Sequence, residues 1–396
     1  MPTDNRFSRR SFLHLSAASA VAAFPVFTEP MLAAAAGTHR AFSKDGVFID
    51  ANENPLGPSK AARDAISAII PQGGRYCDNL TDDLIHAFAQ IEGVNPEYIH
   101  AFPGSSTPLN CAVRAFTSAQ KSYVTADPGY EAGMYAAADV QTRVVKVPLT
   151  RDYTHDVKAM LAAGTDAGLF YVCTPNNPTG TLTSHSDIEY LVEKKPAGSV
   201  VMVDEAYIHF SSAPSVLDLV KAGKDVIVLR TCSKIYGMAG LRCGFAVARP
   251  DLLEKIMRMG GWNFMPITAV VAATVSLKDA DLVPERRRIN ASIRQETFQW
   301  LDRNGYSYIP SESNCFLLDT KRPGKQAIDA MATQNVFVGR IWPVMPTHVR
   351  VTIGTRDEMS RFQSAFQRVM TGAVAISVSP SRYAEQRTRR NLAALT

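Results

Sequence analysis

The sequence predicts an α/β fold, with a mainly parallel seven-stranded sheet sandwiched by helices and a smaller α+β domain after it. Three observations predict it. First, seven near-continuous apolar runs alternate with helical patterns: Tyr98 to Phe102, Ser122 to Ala126, Thr142 to Leu149, Gly168 to Cys173, Ser199 to Val203, Val226 to Leu229 and Cys243 to Ala248. Strands apolar on both faces are buried on both, which places helices above and below a parallel sheet. Second, a long helical stretch from Asp281 to Asn304 leads into shorter strand candidates at Tyr306 to Ile309, Cys315 to Leu318, Val336 to Ile341 and His348 to Ile353, closed by a helix from Thr355 to Met370. Third, 396 residues are enough for two domains.

Taken in order, residues 1–36 read as an export signal. Ser8-Arg9-Arg10-Ser11-Phe12-Leu13 fits the twin-arginine pattern, a mildly apolar segment runs from Leu15 to Phe27, and small residues at Ala33 to Ala36 precede Gly37. Export would make the protein periplasmic; without use of the signal it is cytoplasmic. The apolar segment is short and broken by Pro25, which argues against a membrane span. The twin-arginine machinery moves folded proteins, a route suited to a protein that traps its cofactor before export.

Residues 37–70 form an N-terminal arm expected to join the small domain. Within it Asp50 to Pro58 is rich in turn formers, and Ser59 caps a helix through Ile70. Thr81 opens the next helix, with Leu84, Ile85, Phe88 and Ile91 on one face. The large domain is assigned to 71–280, the small domain to 281–372 and a flexible, arginine-rich tail to 373–396.

Composition narrows the function. The net charge of +5 is spread thinly before the tail, so nucleic acid is not an implied partner. The 6 cysteines show no C-x-x-C pair and read as free, buried thiols. The 8 histidines show no ligand spacing, so no metal is expected.

The chemistry centres on Thr231 to Arg242. Lys234 follows the buried run Val226 to Leu229, flanked by Thr231 and Ser233, with Arg242 beyond two glycines. A lysine at the mouth of a buried strand is unfavourable unless neutral, paired or covalently bonded. A bond to an aldehyde cofactor answers that, and the hydroxyls and arginine suit a phosphate dianion. Lys234 is therefore read as the residue that holds pyridoxal 5'-phosphate. Three further stretches fit the same group. Gly104-Ser105-Ser106-Thr107 opens a helix, whose unpaired N–H groups favour an anion. Asn177, in the turn after Cys173, can bond a phenolate oxygen at the carboxyl edge of the sheet. Asp204 ends another buried strand and needs a cationic partner, which a pyridinium nitrogen supplies; Tyr207 lies beside it. Each alone has an ordinary reading as a cap or a turn.

In this order GSST, NNPTG, DEAY and SKxxGMAGLR resemble the fold-type I aminotransferases that use pyridoxal phosphate, nearest to the histidinol-phosphate aminotransferase branch. NENPLGPS, GRY at Gly74 to Tyr76, PGY at Pro128 to Tyr130 and VRVTIGTRDE at Val349 to Glu358 fit the same branch, so the resemblance covers about Asp50 to Met370. It implies a transaminase with ping-pong kinetics acting on an amino acid, or amino-alcohol phosphate, and a 2-oxo acid. By the same likeness Lys234, Asp204 and Tyr207 are catalytic. Tyr130 stacks on the cofactor ring, and Asn177 and Tyr207 meet its oxygen. Ser105, Ser106, Thr231, Ser233 and Arg242 hold its phosphate. Tyr76 reaches the neighbouring subunit's phosphate, implying a homodimer with shared sites. Arg350 grips the substrate carboxylate, Arg340 a distal anion, and Asn54 lies with them among the substrate-binding residues.

The chain departs from the branch where many members carry GADE or GSDE in place of GSST, so the acidic residue at the cradle is missing. A salt bridge to the small domain's own carboxylates is an alternative role for Arg340. Trp342, Tyr130 and Phe264 are candidate pocket residues, and core packing explains them equally well. Two rival functions stand beside transamination, a decarboxylase of the threonine-phosphate type and an exported binding protein without turnover; the absence of a G-x-G-x-x-G fingerprint argues against a nicotinamide-dependent dehydrogenase.

Overall fold

A three-residue strand, β1 (Val47–Ile49), precedes the seven that build the central sheet: β2 (Ile99–Phe102), β3 (Ser122–Asp127), β4 (Val144–Pro148), β5 (Ala167–Cys173), β6 (Val200–Asp204), β7 (Val226–Thr231) and β8 (Gly244–Val247). The computed structural model describes Val26, Thr28, Glu29, Leu32, residues 45–260 and residues 264–372. The twin-arginine motif, the expected cleavage region and the tail 373–396 lie outside the described residues.

The strand order is β2-β8-β7-β6-β5-β3-β4. Strands β3 to β7 pair in parallel, while β8 runs antiparallel to both β7 and β2. Every residue of β5, β6 and β7 is buried, as expected for central strands covered on both faces. Edge strand β4 instead exposes Lys146 and Pro148. Helix Ile267–Lys278 packs on Lys60–Ile69 and Asp78–Glu92, and helix Pro250–Gly260 packs on Ser106–Phe116.

The smaller unit holds β9 (Ser307–Tyr308), β10 (Cys315–Asp319), β11 (Val336–Val338) and β12 (His348–Thr352). Strands β12, β10 and β9 form an antiparallel sheet, and β1 pairs in parallel with β11. Phe316, Val351, Phe362 and Phe366 fill its own core.

Three expectations shift. The arm does not join the small domain alone: β1 pairs there, but its helix Lys60–Ile69 buries Ala62 in the large-domain core. Residues 50–57 therefore cross from one unit to the other. The helix expected from Thr81 begins at Asp78, after Cys77 turns in the left-handed region at φ 54. Asp78 then sits in the first turn, where the helix dipole favours an acid. The strand expected through Ile341 ends at Val338. Beyond it the Gly339 N–H donates to Arg350 O (2.8 Å) and the Arg350 N–H to Arg340 O (3.1 Å), which sets the two arginines side by side.

Candidate active site

The ends of β2, β3, β5, β6 and β7 meet around a cavity of about 310 Å³. This is the carboxyl edge, where open α/β sheets bind ligands. Its lining includes Ser105, Tyr130, Asn177, Asp204, Lys234 and Arg350's carboxylate partner, Glu29.

One end is built for an anion. Ser105 flanks helix Ser106–Phe116 at its N-terminus, and the Tyr130 side chain bonds Ser106. Thr231 Oγ1 donates to Ser233 Oγ at 2.9 Å. Arg242 reaches the same place from a strained φ of 67. Its Nη1 donates to Ala239 O (2.9 Å) and Ser233 Oγ (3.5 Å), and its Nη2 to Pro103 O (3.4 Å). Burial pulls the Arg242 pKa down. Gly104, at φ 82, leaves room for this guanidinium, because a Cβ there would run into it.

Asp204 forms the floor, 3% exposed. Its Oδ2 accepts from the Tyr171 hydroxyl (2.9 Å) and its Oδ1 from the Ala206 N–H (3.0 Å). Burial raises its pKa to about 6, although both hydrogen bonds and Lys234 pull the other way. The Tyr207 hydroxyl accepts from Asn52 Nδ2 (3.0 Å) and Asn177 Nδ2 (3.4 Å). Lys234 Nζ donates to Ala51 O (3.4 Å) and lies 5.5 Å from the Tyr207 ring centre. Burial lowers its pKa, Arg350 adds to that, and Glu29 opposes it.

The third end carries two arginines. Arg350 Nη1 donates to Asn177 Oδ1 (2.9 Å), and Nη2 to Asp50 O (2.7 Å) and Glu29 Oε1 (2.6 Å). Arg340 Nη2 donates to Glu29 Oε2 (3.2 Å), while Nη1 meets both oxygens of Glu131 (3.1 and 3.0 Å). Burial pushes the Glu29 pKa up, but the two arginines outweigh it and hold the carboxyl down to about 2. For Glu131 burial prevails over Arg340 and the pKa is raised.

The family profile described as aminotransferase class I and II matches residues 44–366. The chain belongs to this family. It is 34% identical over 334 residues to a histidinol-phosphate aminotransferase of Moorella thermoacetica, covering 83% of this chain and 86% of that one. It is 32% identical over 329 residues to the histidinol-phosphate aminotransferase of Symbiobacterium thermophilum, covering 82% and 91%. The crystal structure of histidinol-phosphate aminotransferase from Sinorhizobium meliloti in complex with pyridoxal-5'-phosphate superposes with a TM-score of 0.77 at 26% identity, covering 93% of this chain and 99% of that one.

In the aminotransferase, Ser105, Ser106, Tyr130, Asn177, Asp204, Tyr207, Thr231, Ser233, Lys234 and Arg242 all line the one cavity. Arg340 and Arg350 reach it through Glu29. Arg340 pairs with Glu131 of the large domain and Glu29 of the N-terminal segment, so its partners are not small-domain carboxylates. Asn54 lies apart from the lining. Its Nδ2 donates to Ile235 O (3.0 Å), where it braces the turn after Lys234 rather than facing the cavity. Tyr76 is 74% exposed and stacks on Phe264, itself 55% exposed, with ring centres 4.8 Å apart. Phe264 thus leaves the pocket. Trp342 lies behind the arginines, with their guanidinium carbons 4.8 and 5.6 Å from its ring centre.

Four contributors escaped the sequence reading. Tyr171 sits in an apolar strand and looks like core. Asn52 is hidden in a run of turn formers, Glu29 falls inside the segment read as a leader, and Glu131 follows PGY without a motif of its own. Behind the site, buried Arg230 pairs with Glu205 (2.8 Å) and Glu92 (3.2 Å) and bonds Ser215 Oγ (3.0 Å).

Proposed function

We propose that this aminotransferase binds pyridoxal 5'-phosphate at Lys234 and moves an amino group from an amino acid to a 2-oxo acid in two half-reactions. The observation that carries the reading is the burial of Lys234 and Asp204 in one cavity between a hydroxyl-and-arginine cradle and an arginine pair. The residues fit the cofactor. Asp204 is buried with a raised pKa, as suits a carboxylate that meets a pyridinium there. When bound, the cofactor supplies an electron sink and stores the amino group between half-reactions.

The chain's own groups supply the rest. Arg350 orients the substrate by its carboxylate, as it now holds Glu29. Once the substrate's amine has displaced it, Lys234 Nζ, favoured as the free amine by burial, would take the proton from Cα and pass it to the cofactor carbon that bears the amino group. Asn177 links the two ends, accepting from Arg350 and donating to Tyr207, so substrate seat and ring contacts are set by one amide. The first substrate leaves as a 2-oxo acid; a second 2-oxo acid leaves as an amino acid.

Two further proposals rest on the sequence. The chain is exported folded, through the twin-arginine route, to the periplasm. It also works as a homodimer, with exposed Tyr76 turned toward a neighbour's phosphate.

Mixing holoenzyme with single amino acids, without acceptor, tests the core reading. The lysine-bound cofactor's absorbance is expected to fall with one 2-oxo acid formed per site. Release of carbon dioxide would favour the decarboxylase instead. No change with any amino donor, or borohydride tagging of another lysine, would sink the assignment.

A further inference from the structure

We infer that Glu131 sets the charge of the substrate seat, so that this aminotransferase selects substrates with a single negative group, the α-carboxylate, over phosphate esters and dicarboxylates. The inference deepens the transaminase reading and rests on it. Two guanidiniums face the seat, and Glu131 commits both of its oxygens to Arg340 Nη1 at 3.1 and 3.0 Å. Each arginine's Nε is left without a hydrogen-bond partner, and the donors that reach the seat are Nη2 of Arg340 and Nη2 of Arg350. One carboxylate, that of Glu29, takes both, with one oxygen on each arginine at 3.2 and 2.6 Å. Two positive charges less the one that Glu131 cancels leave a seat matched by one anion.

The site is dry enough for that arithmetic to matter. Arg340 is 4% exposed and Arg350 fully buried. Unbalanced charge there is poorly screened, and like charges placed together are strongly disfavoured. A second anionic group must either displace Glu131 or lie beside its carboxylate. Displacement is resisted from two sides. Glu131 is fixed at the start of helix Ala132–Asp139. Trp342 backs both guanidiniums and donates through Nε1 to Gly129 O at 2.9 Å, two residues from Glu131, tying the arginines to the loop that carries it. Glu29 shows the shape of the occupant: one carboxylate spanning two arginines.

Equilibrium binding to the holoenzyme tests this without turnover. The probes are hydrocinnamate as a monocarboxylate, maleate as a dicarboxylate and phenyl phosphate as a phosphate ester, each followed by calorimetry. The wild-type chain is expected to bind hydrocinnamate at least about 10-fold more tightly than either dianion, and Glu131→Gln, which keeps the shape and loses the charge, to narrow or reverse that ratio about 10-fold. Tighter wild-type binding of phenyl phosphate or maleate, or a ratio unmoved by Glu131→Gln in a protein of unaltered melting temperature, would overturn it. If Glu131→Gln does not fold, the wild-type ratio alone decides. Failure of every amino donor to react would count against the transaminase reading, while these binding ratios would still decide the role of Glu131.

Discussion

Asp204 holds its carboxyl at the floor of the site with a pKa of about 6, against an ordinary 3.8. A raised acid binds its extra proton in the folded state, so it weakens the cofactor-free fold increasingly as pH climbs from 3.8 to about 6 and fully above that. Asp204→Asn is therefore expected to stabilise the cofactor-free protein at pH 7 by on the order of 3 kcal/mol in urea unfolding, while lowering the half-reaction at least about 100-fold. Glu29 has the opposite sign. Its pKa falls from 4.5 to about 2, so its contribution is present above pH 4.5 and is lost as pH drops toward 2. Glu29→Gln should flatten the acid limb of the stability curve over that window, measured by thermal melting. Lys234 is lowered by burial, so kcat, which reports the substrate complex in which this amine is free, is expected to rise with pH along a limb below the ordinary lysine value. A limb at or above that value would show that another group carries the proton. At this scale the motifs placed Lys234, Asp204, Asn177 and Arg242 in one cavity. Tyr171 and Glu131 were not legible, because a tyrosine in a buried strand and a glutamate before a helix carry no mark of what they will face.

The buried cluster behind β6 and β7 shows how elements are locked at the site's rim. Arg230 is the last residue but one of a fully buried strand, and Glu205 follows directly on Asp204. Breaking such a pair by removing one partner leaves an uncompensated buried charge, which costs about 3–5 kcal/mol. Glu205→Ala should lower stability by about that amount, read by denaturant unfolding, whereas exposed Lys60, paired with Asp64, should change it by less than about 0.5 kcal/mol on conversion to alanine. Helix Arg356–Met370 was legible in full because its capping box, Thr355 with Glu358, is written locally. The seven strand candidates of the large domain were legible for a similar reason, since burial on both faces leaves an apolar run. Strand β1 was not: its three residues become a strand only by pairing with β11, whose Val336 lies far along the chain from its partner Val47.

Across the whole molecule, the N-terminal segment and the catalytic cleft bear on each other. Glu29 belongs to the stretch 1–36 read as a signal peptide, yet its carboxylate sits on both substrate-end arginines. If export removes that stretch, the seat opens at the same step. A chain beginning at Gly37 is expected to bind hydrocinnamate about 10-fold more tightly than the full chain, since a tethered competitor is gone. Equal affinity would show that Glu29 does not compete. The proposed homodimer gives a second expectation at this scale: Tyr76→Ala should loosen cofactor binding several-fold with little effect on monomer stability, because Tyr76 is mostly exposed and stacks on a phenylalanine that is itself exposed.

The sequence by itself determined the α/β layering, the order of motifs along it and the identity of most residues that line the central cavity. These follow from local patterning, apolar runs for strands and hydroxyl-rich turns at their ends, which need no knowledge of distant partners. Only the tertiary structure decided which charges face one another. Arg340 meets Glu131 and Glu29, Asn54 turns to the backbone of Ile235, and the arm crosses between the two units. Electrostatic pairing depends on distances across the fold, and residues hundreds of positions apart acquire those distances only when the chain closes.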